Sequence, residues 1–302
     1  MQHVLVLLNA HAGTLLDRNA DEVRAIVERG LAEGGRQVEV RLLEGEELAR
    51  AIRGAGRGPH DTVVVGGGDG SVSLAARSLT HSDKTLGIIP LGTINLLAGD
   101  IGMPADLATA VAALSKADVR RIDLGTLNGR PFHTISGTGF FSQMARAREA
   151  ARHISIGSFK LGRFMAVGIA AFQAVRRAGR FTLDIDIDGR PMTVDAFAAL
   201  VSVNRFTGPG WRRARLDEGR LEIHIAEDRG ALAKLRAGAD LMADVWRDNP
   251  GILSFEGQQI TVARRRRSRT WVSTDGELSR ERVPLRYRIR PASLSLLIPP
   301  AQ

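Results

Sequence analysis

A glycine-rich turn between an apolar run and a helical pattern is the strongest chemical signal in the sequence. The run Thr62–Val65 leads into Gly66-Gly67-Gly68-Asp69-Gly70-Ser71-Val72. Glycine permits positive φ and close approach of a ligand, and the helix that follows offers N–H groups and partial positive charge to a phosphate, so we expect Gly68 and Gly70 to be needed there. Asp69 alone would repel a phosphate, which indicates a role with Mg²⁺ or a proton. An ordinary strand-to-helix turn with Asp69 as N-cap is the alternative.

A second polar turn follows the next apolar run. The segment Leu86-Gly87-Ile88-Ile89-Pro90-Leu91-Gly92-Thr93-Ile94-Asn95 places Thr93 and Asn95 just beyond a buried strand. Ligands of parallel sheets bind outside the carboxyl ends of the strands. Two such turns on successive strands therefore predict a single crevice.

The elements that must position these turns are visible as alternating patterns. Strand-length apolar runs alternate with helical periodicity at 3–8, 21–32, 37–42, 46–53, 62–65, 71–78 and 86–89. This predicts a Rossmann-like α/β nucleotide-binding domain over 1–125, with 291–302 as a candidate to complete it. Short strands such as Phe181–Ile187 and Leu285–Ile289, joined by tight turns, predict a mainly antiparallel β-sandwich domain over 126–290.

The composition limits the partners. The 302 residues carry 42 Lys and Arg against 33 Asp and Glu, a net charge of +9 that favours an anionic partner. Cysteine is absent, which excludes disulfides and thiol catalysis and is compatible with a reducing cytoplasm. No apolar stretch approaches the ~18 residues that span a bilayer, and Met1–Asn9 shows no export signal. We expect a cytoplasmic protein associated peripherally with the inner face of the membrane.

The two turns resemble the Gly-Gly-Asp-Gly-Thr and Pro-x-Gly-Thr-x-Asn signatures of the diacylglycerol kinase catalytic family, which includes sphingosine and ceramide kinases and bacterial lipid kinases. Further segments resemble motifs of this family in the same order: Asn9-Ala10-His11-Ala12-Gly13, Ile122-Asp123-Leu124-Gly125 and Thr274-Asp275-Gly276-Glu277. Ser71 stands where threonine is usual and keeps the hydroxyl group. Ala10 and Leu96 also depart from the pattern without removing a necessary group.

The resemblance implies a role for each matching residue. The nucleotide would contact the residues of the N-terminal motifs, which are Asn9, Gly67, Gly68, Asp69, Gly70, Ser71, Val72, Gly92, Thr93 and Asn95. Asp69 would serve the metal and phosphate site, and Asp275 or Glu277 would accept the proton of the lipid hydroxyl group. A plain turn aspartate before Gly276 is the alternative for Asp275.

The resemblance also implies metal sites outside the glycine turns. Asp123 matches a carboxylate that belongs to a metal and water network in bacterial members. The segment Leu216–Leu221 resembles a structural Mg²⁺ loop, with Asp217 and Glu218 as candidate ligands.

Two basic features are compatible with a membrane surface. Arg264–Arg267, with Arg269, could bind lipid headgroups or nucleotide phosphate, and a solvated loop is the alternative. The helical pattern at Ser158–Arg177 combines apolar and basic residues, and core packing is the alternative there.

These observations predict a kinase that uses ATP and Mg²⁺ to phosphorylate a lipid hydroxyl group, of diacylglycerol type or of a ceramide or sphingoid base. The alternatives are a kinase of a soluble alcohol such as NAD and a noncatalytic basic protein that binds anionic lipid. An aromatic content of 5% without a stacking pattern argues against nucleic acid as a partner. A homodimer is left open.

Overall fold

The structure is a computed structural model that describes residues 2–12, 15, 19–33, 35–152, 179–207, 211–243 and 245–300. The helix predicted at Ser158–Arg177 lies outside the described residues. In the N-terminal part, strands and helices alternate as β1 (His3–Asn9), α1 (Ala20–Leu31), β2 (Gln37–Leu43), α2 (Gly45–Ala55), β3 (Thr62–Gly67), α3 (Asp69–Leu79), β4 (Thr85–Pro90), α4 (Leu96–Asp100) and α5 (Leu107–Ser115).

The N-terminal strands form a parallel sheet in the order β2-β1-β3-β4. Every residue of β3 and β4 is buried, because helices cover both faces of the sheet. Helix α1 packs through Val23, Val27 and Leu31, whose spacing puts them on one face. The predicted α/β nucleotide-binding fold is confirmed.

The C-terminal part is an antiparallel β-sandwich with a core of its own. Its elements are β5 (Asp118–Leu127), β6 (Arg130–Phe132), β7 (Ile135–Gly139), α6 (Phe140–Arg152), β8 (Phe181–Ile187), β9 (Arg190–Val203), β10 (Leu221–Glu227), α7 (Ala231–Ala243), a 3-10 turn (Trp246–Asp248), β11 (Ile252–Gly257), β12 (Gln259–Arg264), β13 (Arg269–Thr274), β14 (Glu277–Arg282) and β15 (Leu285–Ile298). This confirms the predicted sandwich. Within the described part of the chain, no helix has both the length and the apolar character that a bilayer crossing requires.

Strand β15 runs through both halves of the molecule. Its first part pairs with β12, and its last part pairs in parallel with β4 through Ser295 and Leu296. An irregularity before Leu294, with Ala292 at φ 47°, lets the strand change neighbours. The sequence predicted a strand that ends at Ile289, so the observed strand is longer. One 15-stranded sheet passes through the chain, and the boundary near 125 stays a prediction.

A buried ion pair joins the two halves beside α4. Nη2 of Arg213 lies 2.5 Å from Oδ2 of Asp100, and the backbone N–H of Arg213 donates to Oδ1 of the same carboxylate at 2.9 Å. Nη1 of Arg213 donates to the carbonyl groups of His133 and Val203 at 2.6 and 2.9 Å. Both charged side chains are only 1% exposed, so the partners compensate charges that water cannot reach.

We expect Arg213→Met to lower the free energy of unfolding by about 3–5 kcal/mol, because the substitution leaves Asp100 buried without its counter-ion. Arg215→Met is the control, because Arg215 pairs with Asp217 at a surface where both side chains are more than half exposed, and it should cost less than about 1 kcal/mol. Urea unfolding measures both variants. Equal losses would show that the buried pair does not hold the halves together.

Candidate active site

The two glycine turns lie side by side at the carboxyl ends of β3 and β4. Gly67 pairs with Pro90 in the parallel register, and the N–H of Leu91 donates to the carbonyl group of Gly67 at 3.0 Å. A Cβ atom on Gly92 would lie 2.5 Å from Cα of Gly68, so the backbones are in direct contact. The structure thus brings both predicted turns into one site.

Asp69 joins the two turns through its carboxylate. The backbone N–H groups of Asn95 and Leu96 donate to its two oxygens at 3.1 and 2.7 Å. Asn95 has φ 52° and exchanges two hydrogen bonds with the backbone of Gly92. The N-cap of α3 is Gly68, so the alternative of Asp69 as the cap of its own helix is wrong. Asp69 instead caps α4 and fixes the second turn relative to the first.

The start of α3 is able to receive an anion. Gly68 supplies no side-chain cap, so the first-turn N–H groups lack that acceptor. Gly70 and Thr93 are exposed beside this helix end. Neither Gly68 nor Gly70 has positive φ, and a Cβ atom on Gly70 would meet nothing within 4 Å. The expectation of positive φ at these glycines was wrong. That Gly70 allows a ligand to approach closely stays a prediction.

The carboxylate of Asp69 is suited to be a ligand of Mg²⁺. It is partly exposed, and each oxygen accepts one backbone N–H group and keeps a further lone pair. Mg²⁺ is usually held by one or two carboxylates together with substrate phosphates, so a complete protein cage is not needed. Nowhere in the described ranges do three His, Asp or Glu side chains converge on a metal position.

The other predicted metal ligands are engaged elsewhere. The oxygens of Asp123, which is 3% exposed, accept the N–H groups of Gly219 and Ala292 at 2.7 and 2.8 Å. Both carboxylate oxygens of Glu218 accept from Arg205, which lowers the pKa of Glu218. Asp217 pairs with Arg215 at the surface. The geometry therefore does not favour a Mg²⁺ loop at Asp217 and Glu218, because arginines neutralise both.

Asp275 occupies a tight turn and is also a buried anchor. Asp275 and Gly276, at φ 48° and 84°, form the two-residue connection between β13 and β14. Its carboxylate accepts the backbone N–H groups of His133, Thr134 and Ile135 at 2.9, 3.0 and 3.2 Å, and the residue is 3% exposed. Asp275 is therefore a structural turn residue, as the alternative interpretation predicted. Three donors also hold this carboxylate in one orientation.

Helix α3, which begins at the first glycine turn, also contacts the turn at Asp275. The hydroxyl group of Ser73 donates to Oδ2 of Asp275 at 3.3 Å, and Arg77 donates to the same hydroxyl oxygen at 3.0 Å. Arg77 also forms an ion pair with Glu277 at 2.7 Å. Ser73 stands four residues after Asp69, which is about 6 Å along a helix. The structure thus brings Asp69, Asp275 and Glu277 to one helix.

His133 completes the buried cluster around Asp275. Burial lowers its pKa, and the nearby Asp275 carboxylate opposes that effect. Its Nε2 atom lies 3.6 Å from Oδ2 of Asp275 and, within the described part, has no hydrogen-bond partner. A neutral imidazole is the form that this environment favours.

Sequence reasoning missed several of these contacts. Ser73 could have been found, because it lies one helical turn after Asp69 in a recognised motif. His133 and Arg213 carried no signal, because neither stands in a periodic pattern or a motif. Their role arises only from the packing of distant segments.

Comparison with known families identifies the class. Residues 3–127 match the diacylglycerol kinase catalytic domain, and residues 143–298 match the YegS C-terminal NAD kinase beta sandwich-like domain. The chain is also similar to a solved structure of a diacylglycerol kinase from Bacillus anthracis, with a TM-score of 0.73 and 19% identity, over 99% of this chain and 97% of that one. This shows a shared fold, an α/β nucleotide domain followed by a β-sandwich.

Curated relatives narrow the class to a family. A Pseudomonas aeruginosa protein named "Probable lipid kinase YegS-like" is 33% identical over 232 residues, 74% of this chain and 71% of the relative. A Staphylococcus haemolyticus protein named "Diacylglycerol kinase" is 24% identical over 61% of this chain and 55% of its own length. A Synechocystis relative, 25% identical, is covered over 60% of its length. The chain belongs to the diacylglycerol kinase catalytic family, which indicates a phosphotransferase that uses ATP.

We expect Gly92→Ala and Gly70→Ala to separate packing from ligand approach. The new Cβ atom at Gly92 would clash with the backbone of Gly68 and with Oδ1 of Asn95 at 2.7 Å, so stability should fall by about 1–3 kcal/mol. Gly70→Ala should keep or raise stability, because the space is open and alanine favours helix. It should weaken ATP binding, measured by calorimetry. Unchanged affinity in Gly70→Ala would place the phosphates away from this helix end.

Proposed function

We propose that this protein transfers the γ-phosphoryl group of ATP to the hydroxyl group of a lipid. One observation carries the proposal. The Asp69 carboxylate, the uncapped start of α3 and the Asp275 carboxylate from the other half of the chain all meet on one helix. A donor site and an acceptor base on opposite sides of a crevice are what in-line phosphoryl transfer requires. The acceptor is a diacylglycerol-like lipid or a ceramide or sphingoid base.

The N-terminal half positions the nucleotide. N–H groups at the start of α3 donate to the terminal phosphates, and Thr93 of the second turn is exposed beside this helix end. Asp69, held by two backbone donors, presents its remaining lone pairs in a fixed direction. Mg²⁺, when bound there, neutralises charge on the phosphate oxygens.

The C-terminal half supplies the base. In a loose transition state the proton of the attacking hydroxyl leaves late, so a fixed carboxylate orients the hydroxyl group and then takes the proton. Asp275 is the candidate base, because a substrate hydroxyl group can take the place of the Ser73 hydroxyl group, whose hydrogen bond to Oδ2 is the longest that this carboxylate accepts, at 3.3 Å. Glu277 is half exposed and paired with Arg77, so we assign it to positioning.

The choice of a lipid acceptor has separate support. Relatives from Pseudomonas aeruginosa and Staphylococcus haemolyticus are named as a lipid kinase and a diacylglycerol kinase. The net charge of +9 favours peripheral contact with the anionic inner face of a membrane. A soluble alcohol such as NAD is the competing acceptor.

The decisive experiment is incubation with labelled ATP and Mg²⁺ and a panel of lipids in mixed micelles, with NAD in a parallel reaction. We expect a lipid to gain phosphate and Asp69→Asn to lose at least about 100-fold in rate, because the amide removes the charge that aligns the phosphates. Asp106→Asn is the matched control, because Asp106 caps α5 by accepting from Thr109 and lies outside the site. Phosphorylation of NAD alone, or equal rates in both variants, would overturn the proposal.

We expect Asp275→Asn to keep ATP affinity and to lose lipid phosphorylation by about 100-fold or more, the usual scale for loss of a general base. The amide also faces three N–H donors, so a stability loss of about 1–3 kcal/mol should accompany it, and rates are compared below the unfolding transition. Glu277→Gln should show a smaller defect. Full single-turnover rates in both variants would assign the proton to Asp69 or to the phosphate itself.

A further inference from the structure

A groove lined with arginines lies in the C-terminal half, away from the glycine turns. Its volume is about 760 Å³, and its lining contains seven arginines and a single carboxylate, Glu281. Strand β15 contributes Arg286, Arg288 and Arg290, which are exposed at alternate positions and so share one face. This volume is in the range of small-molecule sites.

The β13–β14 hairpin also contributes positive charge to the groove. Arg269 and Arg282 are directly paired across β13 and β14, and Arg280 lies two residues away on the same exposed face. Like charges opposite each other in an antiparallel pair destabilise the sheet. Among the described residues, the only ion pair formed by the seven arginines is that of Arg130 with Glu281, at 3.7 Å. Six of the seven groove arginines therefore have no carboxylate partner within the described ranges, and the groove carries a concentrated positive charge.

The neighbouring run Arg264–Arg267 is different. The guanidinium group of Arg264 is half-buried over the ring of Phe181 at 4.3 Å, and burial lowers its pKa. Arg265 makes two hydrogen bonds to Asp184 at 2.8 Å. Half of the run that the sequence singled out is thus used in a ring contact and an ion pair, and Arg266 and Arg267 are exposed but do not line the groove.

The groove is separate from the candidate active site. Arg269 and Arg282 lie at one end of the β13–β14 hairpin, and Asp275 forms the turn at the other end. Five residue steps along β13 separate Arg269 from Thr274, which is about 17 Å, and the lining residue nearest the turn along β14 is Ser279, four positions after Asp275. A ligand in the groove would therefore not occupy the position of the phosphoryl donor or of the base.

We infer that this groove is a binding site for phosphate groups. Guanidinium groups bind phosphate oxygens in bidentate geometry, and several of them around a concave surface fit a compact anion with more than one negative charge. Binding would also relieve the repulsion between Arg269 and Arg282, so the ligand would stabilise the fold. The phosphate can be presented by a phospholipid headgroup or by a soluble polyphosphate.

The test uses the full chain without ATP, so its outcome does not depend on phosphoryl transfer. The groove variant is Arg282→Gln with Arg288→Gln. The control is Arg50→Gln with Arg57→Gln, which removes the same charge from exposed positions in and after α2. The probes are phosphatidylcholine vesicles with and without phosphatidate, read by co-sedimentation, and inorganic tripolyphosphate, read by calorimetry and by the thermal unfolding midpoint.

We expect the groove variant to bind at least one probe roughly 30-fold more weakly than wild type, on the scale of about five-fold for each arginine at an anionic surface. The control variant should bind as wild type does. Without a probe, the groove variant should unfold at the same temperature as wild type or higher, because like-charge repulsion is reduced. If the groove variant binds only the vesicles more weakly than the control variant does, the phosphate belongs to a headgroup. If it binds only tripolyphosphate more weakly, the phosphate belongs to a soluble anion. Equal binding of both probes by both variants would overturn the inference.

Discussion

The buried ion pair between Asp100 and Arg213 is the constraint on which the geometry of the site depends. Asp100 ends the short helix that begins at the second glycine turn, and Arg213 reaches from it to the backbone at His133, the segment whose N–H groups hold Asp275. Two buried charges tolerate little displacement, because each loses its compensation when the other moves. The distance between the glycine turns and the Asp275 carboxylate is therefore fixed by an ion pair that lies outside both.

Carboxylates that accept backbone N–H groups from distant segments recur in this protein. Asp69 holds the start of α4, Asp123 holds Gly219 and Ala292, and Asp275 holds the connection between β6 and β7. Such charge-assisted hydrogen bonds are stronger than neutral ones and fix the side chain in direction. In Asp69 each oxygen accepts one backbone N–H group and keeps a further lone pair, whereas each oxygen of Asp275 accepts two hydrogen bonds, so Asp275 is the more completely anchored carboxylate.

The sequence was sufficient for the fold class and for the pairing of the two glycine turns, because strand and helix periods and turn glycines are local properties. It was insufficient where partners are far apart in the chain. Asp123 and Ala292 are separated by 169 residues, and nothing in the spacing announces their bond. Arg212 and Arg213 are adjacent and have the same side chain, yet Arg212 is exposed and Arg213 is buried. Only tertiary packing makes this difference. The sequence pattern offered 291–302 as a candidate to complete the N-terminal domain but did not predict that β15 continues into it, because proline within a strand is found mainly at edges and bulges.

The path of β15 has a consequence for how the chain acquires its shape during synthesis. Leu294, Leu296 and Leu297 belong to the hydrophobic core of the N-terminal half, and they follow β4 by more than two hundred residues of chain. The nucleotide-binding half therefore cannot complete its core when it leaves the ribosome. The edge of β4 stays unpaired, and can pair with a wrong strand, until the sandwich has been synthesised and the end of β15 pairs with it. Closure of such distant contacts slows folding and makes the two halves mature together.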